Sequence, residues 1–244
     1  IGSAIRNFDS VGQKIIDMDK VGSIIRNIDK LGSSVKKVLE AIAELPAKQQ
    51  AMIFNMSDKG WFPFEECLMR FPKVDENIDT FMIRRINNSY EELKQSLLER
   101  NPNRSHILGV AFELFENKQY IACIPLMLTQ IDGICHDFHD VFYFTKENGK
   151  KFPNIVQERM IGDDNNKEIY DILRGIVDKA NENFISQRFS KLENVDSVNI
   201  LNRGAILHGH KDFLTYGDEP NAYKVFSLLL YVNWMIELFE ESKN

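Results

Sequence analysis

Apolar residues along this 244-residue chain recur three and four positions apart, and no useful run of alternating apolar and polar residues interrupts them. A helix buries a stripe with a period near 3.6, whereas a half-buried strand needs a period of two. The chain therefore reads as all-α. A long apolar pattern closes it, from about Pro220 to Glu240; before it come His106 to Glu116, Gln119 to Phe142, Ile155 to Met160, Lys167 to Phe189 and Val198 to Leu207. Pro125 lies inside the second of these and is expected to kink or restart it, because the ring removes one hydrogen bond and clashes with the preceding turn. A lysine- and glycine-rich loop is expected around Glu147 to Pro153, and a polar one from Gly209 to Glu219.

Residues 1–45 carry a ten-residue repeat, with glycine at Gly2, Gly12, Gly22 and Gly32 and apolar positions spaced four, three and three. At about 100° per residue such a seam drifts by roughly 80° each repeat, so a straight two-stranded coiled coil is disfavoured. The expectation is a long amphipathic helix for packing or oligomerisation. Its lysines and arginines are balanced by aspartates, which makes attachment to anionic lipid the weaker alternative. After Pro46, an accessory helical segment over 46–100 holds a short helix from Ala47 to Met56 and a longer one from Val74 to Glu99, with Ile78, Met82, Ile86 and Leu93 on one face. Between them, Trp61-Phe62-Pro63-Phe64 presents three rings that either stack bases or plug the space between helices. Asn101-Pro102-Asn103 reads as a turn and a domain boundary, leaving a helical bundle over 101–244.

The formal net charge of −6 argues against a protein that coats nucleic acid indiscriminately. Any nucleic-acid site must then be local, built by a patch of cations or by more than one subunit. Cys67, Cys123 and Cys135 form no Cys-x-x-Cys pair and cannot all pair within one chain, which points to a reducing cytoplasm. No stretch reads as a transmembrane span. The evenly spaced glycines are not a phosphate-cradling loop, and neither Ser nor Cys has a nucleophile motif around it, so no cofactor is implied.

Asn202-Arg203-Gly204-Ala205-Ile206-Leu207-His208-Gly209-His210 concentrates the chemistry. Arginine supplies a permanent cation with a planar fork for phosphate oxygens, and histidine titrates nearest neutrality. An imidazole could take the proton of a ribose 2′-hydroxyl while the guanidinium stabilises charge at phosphorus, without a metal. At these residues the chain resembles the HEPN superfamily, whose ribonucleases and toxins share an Arg, four to six residues, His motif. It departs from the common pattern at Gly204, where many members have a polar residue, and at His210, where a tyrosine often stands. The resemblance implies a HEPN-like bundle and a metal-independent endoribonuclease acting on RNA as a toxin or anti-phage abortive-infection effector. It also implies a homodimer that brings two motifs together, and a possible antitoxin or partner protein. Arg203 and His208 would be catalytic, with Asn202 and His210 as auxiliary contacts; six-residue spacing leaves His210 open as the base. Gly204 keeps a second class available, a non-catalytic helical interaction module.

Asp132, His136 and Asp140 stand four apart on one expected helix, but no further ligand is nominated and a metal site is not the favoured reading. Asp132 is also a lone carboxylate in a helix written for burial, as Gln130 is a lone amide. Such groups are costly inside unless paired. The expectation is that Asp132 or Gln130 reaches Arg203 across the bundle and orients it.

Overall fold

The computed structural model describes residues 47–64, 67, 72, 76–146, 149–161, 185 and 201–241. The repeat of 1–45 and the helix expected over 167–189 lie outside the described residues, apart from Ile185. The rest is all-α, with no strand among the described residues. Eight helices are described: α1 (Ala47–Asp58), α2 (Ile78–Asn88), α3 (Tyr90–Arg100), α4 (Ser105–Glu116), α5 (Tyr120–His139), α6 (Phe152–Ile161), α7 (Arg203–Leu207) and α8 (Glu219–Glu241). Short 3-10 turns stand at Pro102–Arg104 and Lys211–Phe213.

Helix α8 is the axis of the bundle. From Asn221 to Met235 every residue but Lys224 is buried, so this helix has no solvent face along that stretch. It packs on α5, α2 and α3, and α4 packs on α5. Phe115 of α4 gathers Tyr90, Tyr120, Tyr223 and Phe226, with ring centroids 5.7, 6.0, 4.8 and 5.3 Å away. Buried residues on both sides of the Asn101 turn, from Met56 to Met235, belong to one core. Asn101 itself ties the turn to α8, its amide donating to Asn233 Oδ1 at 2.8 Å.

The aromatic segment after α1 is a plug. Trp61, Phe62 and Phe64 are buried, the indole N–H donates to Asp79 Oδ1 at 2.7 Å, and the Phe62 N–H donates to Ser227 Oγ at 3.2 Å. These rings are not available to stack bases. Lys224 lies over the Trp61 ring at 5.8 Å, and burial pulls its ammonium below the usual range against the attraction of Asp79 and Asp218.

The single helix expected over Val74 to Glu99 is two. Asn77 caps α2 by accepting the N–H groups of Asp79 and Thr80 at 2.8 and 3.3 Å. At Ser89 the backbone leaves helical geometry (φ −126°, ψ 20°), after the weak helix formers Asn87 and Asn88. The break turns Tyr90 toward Phe115 and makes Leu97 the buried residue of α3. Helix α7 is shorter than the expected Val198 to Leu207, because Asn202 is extended and caps it. Helix α6 starts at Phe152, inside the expected loop, with Pro153 in the first turn where a missing N–H costs nothing.

Pro125 does not restart its helix: α5 runs through it from Tyr120 to His139. A proline there leaves the carbonyl four residues earlier without its helical donor. That carbonyl belongs to Ile121, and the Tyr216 hydroxyl donates to it at 2.9 Å. Gly217 packs beside the same residue, where a Cβ would come within 3.2 Å of the Ile121 backbone. Tyr216→Phe should therefore cost about 1 kcal/mol in urea unfolding. In a Pro125→Ala background, where the helix supplies its own donor, the same change should cost close to nothing.

Candidate functional site

The site residues sit where α7 meets α5 and the loop that leaves it. Asn202 opens α7 by accepting the Ala205 N–H on its Oδ1 at 2.9 Å, and is itself fully buried. It thus supports the helix from inside rather than facing solvent. Gly209, in the left-handed region at φ 63°, turns the chain after Leu207, and the His210 N–H returns to the Ala205 carbonyl at 2.9 Å. This one-turn helix is held at both ends by its own neighbours.

Arg203 points inward. Its Nη2 donates to Asp132 Oδ2 at 2.9 Å, so the pairing expected across the bundle is made by Asp132. The guanidinium carbon lies 5.4 Å from the centre of the Phe144 ring, a cation–π arrangement. The other Asp132 oxygen accepts the N–H groups of Tyr143 and Phe144 at 2.9 and 3.1 Å. One carboxylate thereby links α5, the following loop and α7. Arg203 Nε is buried without a hydrogen-bond partner among the described residues. Gln130, the other polar oddity of α5, accepts from Arg104 Nη1 at 3.3 Å instead, while the same arginine grips Asp137 through Nε and Nη2 at 2.6 and 2.8 Å.

His208, the C-cap of α7, is exposed, and Leu207 before it is half-buried. Five residues of ideal helix separate it from Arg203 by about 140° around the axis and about 7.5 Å along it. One guanidinium is turned to the interior and one imidazole to solvent. His210 is half-buried at the start of the 3-10 turn, where its Nδ1 accepts the Asp212 N–H at 3.4 Å and its ring stands edge-on to Phe213 at 5.6 Å.

The carboxylate and imidazole positions of α5 do not converge. Asp132 is turned to Arg203, His136 stacks on Phe142 at 4.9 Å, and Asp140 leaves the helix in the left-handed region at φ 52°. Among the described residues no group of three or more His, Cys, Asp or Glu side chains could hold a metal ion. Cys67, Cys123 and Cys135 are buried and not joined in disulfides. No described helix is long and apolar enough to cross a membrane.

Phe144 and its neighbour Tyr143 are the partners of the Arg203–Asp132 pair that sequence reasoning missed. The signal for them was indirect: a buried carboxylate has several acceptor sites, and one arginine does not use them all. Comparison of the chain with protein families, with characterised proteins and with solved structures finds no match.

Burial pushes the Asp132 carboxyl above its usual range, although the Phe144 and Tyr143 N–H groups and the Arg203 cation all pull it down. Relative to water the fold therefore makes this carboxyl easier to protonate, so the proton-linked part of its stability is complete below an unfolded value of about 3.9 and is lost as pH rises through the raised one. Asp132→Asn, neutral at every pH, should abolish that slope in unfolding measured across mildly acidic pH. Asp132→Ala leaves Arg203 and two N–H groups unpaired and should cost about 3 kcal/mol.

Proposed function

We propose that the chain is a metal-independent endoribonuclease whose site combines Arg203 and His208 from two copies of the chain. The observation that carries the reading is the division of labour around α7. A buried carboxylate holds the guanidinium in one orientation at one end, and the imidazole stands in solvent at the other. A guanidinium fixed before the substrate arrives loses little freedom when it meets a phosphate.

In the reaction, the imidazole of His208 takes the proton from a ribose 2′-hydroxyl, and the 2′-oxygen attacks the adjacent phosphorus. The 5′-oxygen leaves, taking a proton from an imidazolium, and the products are a 2′,3′-cyclic phosphate and a 5′-hydroxyl. Arg203 neutralises charge on the non-bridging oxygens of the transition state. Because the two side chains diverge on one α7, the arginine and the histidine flanking a given phosphate come from different subunits of a homodimer. DNA lacks the internal nucleophile and is spared. Such an activity suits a toxin or an abortive-infection effector kept in check by an antitoxin or partner protein.

A second reading, a non-catalytic helical interaction module, is favoured by a different observation: Arg203 already neutralises Asp132 and its Nε is sealed from solvent. Labelled RNA with purified protein in excess chelator separates the two. The nuclease reading expects cleavage by the wild-type chain, a loss of at least about a hundredfold in His208→Ala, and a comparable loss in Arg203→Lys, which keeps a cation beside Asp132 without the planar fork. RNA left intact by the wild-type chain across salt and pH supports the module.

A further inference from the structure

We infer that the loop leaving α5 is a phosphate-contacting element for single-stranded RNA, with Lys146 as its cation; this rests on the RNA reading above. The Arg203–Asp132 pair is close to neutral as a unit, and the chain as a whole carries −6. A polyanion drawn to α7 therefore needs a further positive charge fixed to the same piece of structure.

The loop is built to supply one. Its neck is closed by the Phe152 N–H donating to the Phe142 carbonyl at 2.8 Å, and its outgoing segment is pinned by Asp132 through the N–H groups of Tyr143 and Phe144. Tyr143 stands edge-on to Phe144 at 4.9 Å and is tilted toward Phe152 at 6.3 Å, so both ends of the loop share one aromatic base. Phe144 is also the ring beneath the Arg203 guanidinium. Lys146 follows two residues later, which keeps its Cα within about 7.6 Å of that of Phe144.

Lys146 is exposed and pairs with no carboxylate among the described residues, whereas Lys150 on the returning side is held by Glu158 at 2.5 Å. Lys150 is thus committed to the fold, whereas Lys146 is open to solvent. The same carboxylate that orients Arg203 also holds the backbone two residues before Lys146, which ties the start of this loop to α7. A ribose-phosphate chain crossing α7 meets the guanidinium at one phosphate and the ammonium at a neighbouring one. The contact is to backbone oxygens and carries no base preference.

The test separates binding from cleavage. Anisotropy titrations use the full chain and a labelled 2′-O-methyl single-stranded oligoribonucleotide, which cannot be cut by 2′-hydroxyl attack. Lys146→Glu is compared with Lys118→Glu, an equal change of charge at an exposed position before the opposite end of α5. Lys146→Glu should weaken binding by about tenfold at low salt, and Lys146→Ala should reduce the slope of log affinity against log salt by about 0.7, with Lys118→Glu close to wild type. Equal losses in the two Glu variants would overturn the inference, because only net charge would be at work. So would an unmodified RNA that is cleaved with unaltered KM in Lys146→Glu, an outcome that leaves the nuclease reading standing. Binding that depends on Lys146 without any cleavage of unmodified RNA upholds the loop and removes the nuclease. No binding by the wild-type chain at any salt overturns the loop, whatever the cleavage assay shows.

Discussion

A carboxylate shut inside an apolar helix bundle is unfavourable by several kcal/mol unless its oxygens are met, and Asp132 meets this requirement with partners drawn from two other segments. Tyr143 and Phe144 follow it by eleven and twelve residues, and Arg203 by seventy-one. The middle of α5, the start of the loop beyond it and the first residue of α7 consequently behave as one unit. The arginine that would do chemistry is also the counter-ion of a buried charge. The proposed chemical role and the structural one would draw on the same guanidinium, which is why removing the whole side chain is a poor probe of either one.

The bundle around this unit leaves little choice about where function can reside. Helix α8 is enclosed over most of its length, and the aromatic plug of Trp61, Phe62 and Phe64 closes one side of it. Neither can present chemistry to a ligand. Among the described residues, the exposed polar material near the motif lies in short pieces: the end of α7, the 3-10 turn at Lys211–Phe213, and the loop after α5. The described helices hold these connections in place.

Much of the architecture could be read from spacing, and the exceptions have physical causes. The extents of α4 and α8 follow from apolar stripes with no competing signal, and the plug from rings gathered around helix-breaking Gly60 and Pro63. The break at Ser89 was hidden because apolar spacing continues across it and neither Gly nor Pro marks it; tertiary packing of Tyr90 decides the matter. Asp132 stood out because an isolated acid in such a helix demands a partner. Which of Asp132 and Gln130 would take Arg203 was not legible, since two residues on a helix are about 200° apart and the choice depends on how α5 is rotated in the bundle. Gln130 faces Arg104, a residue with no distinguishing pattern around it. The single-turn length of α7 was missed because capping by Asn202 outweighs the apolar pattern before it.

Tyr216 completing the turn that Pro125 interrupts has a bearing on the order in which the molecule can assemble. The hydroxyl and the carbonyl it satisfies are ninety-five residues apart, so the opening turn of α5 stays one donor short in a nascent chain until that much more of it has been synthesised. Folding from the amino end can gather α2, α3 and α4 earlier, but α5 settles fully only when the segment carrying the arginine and histidines has arrived and lain down beside it.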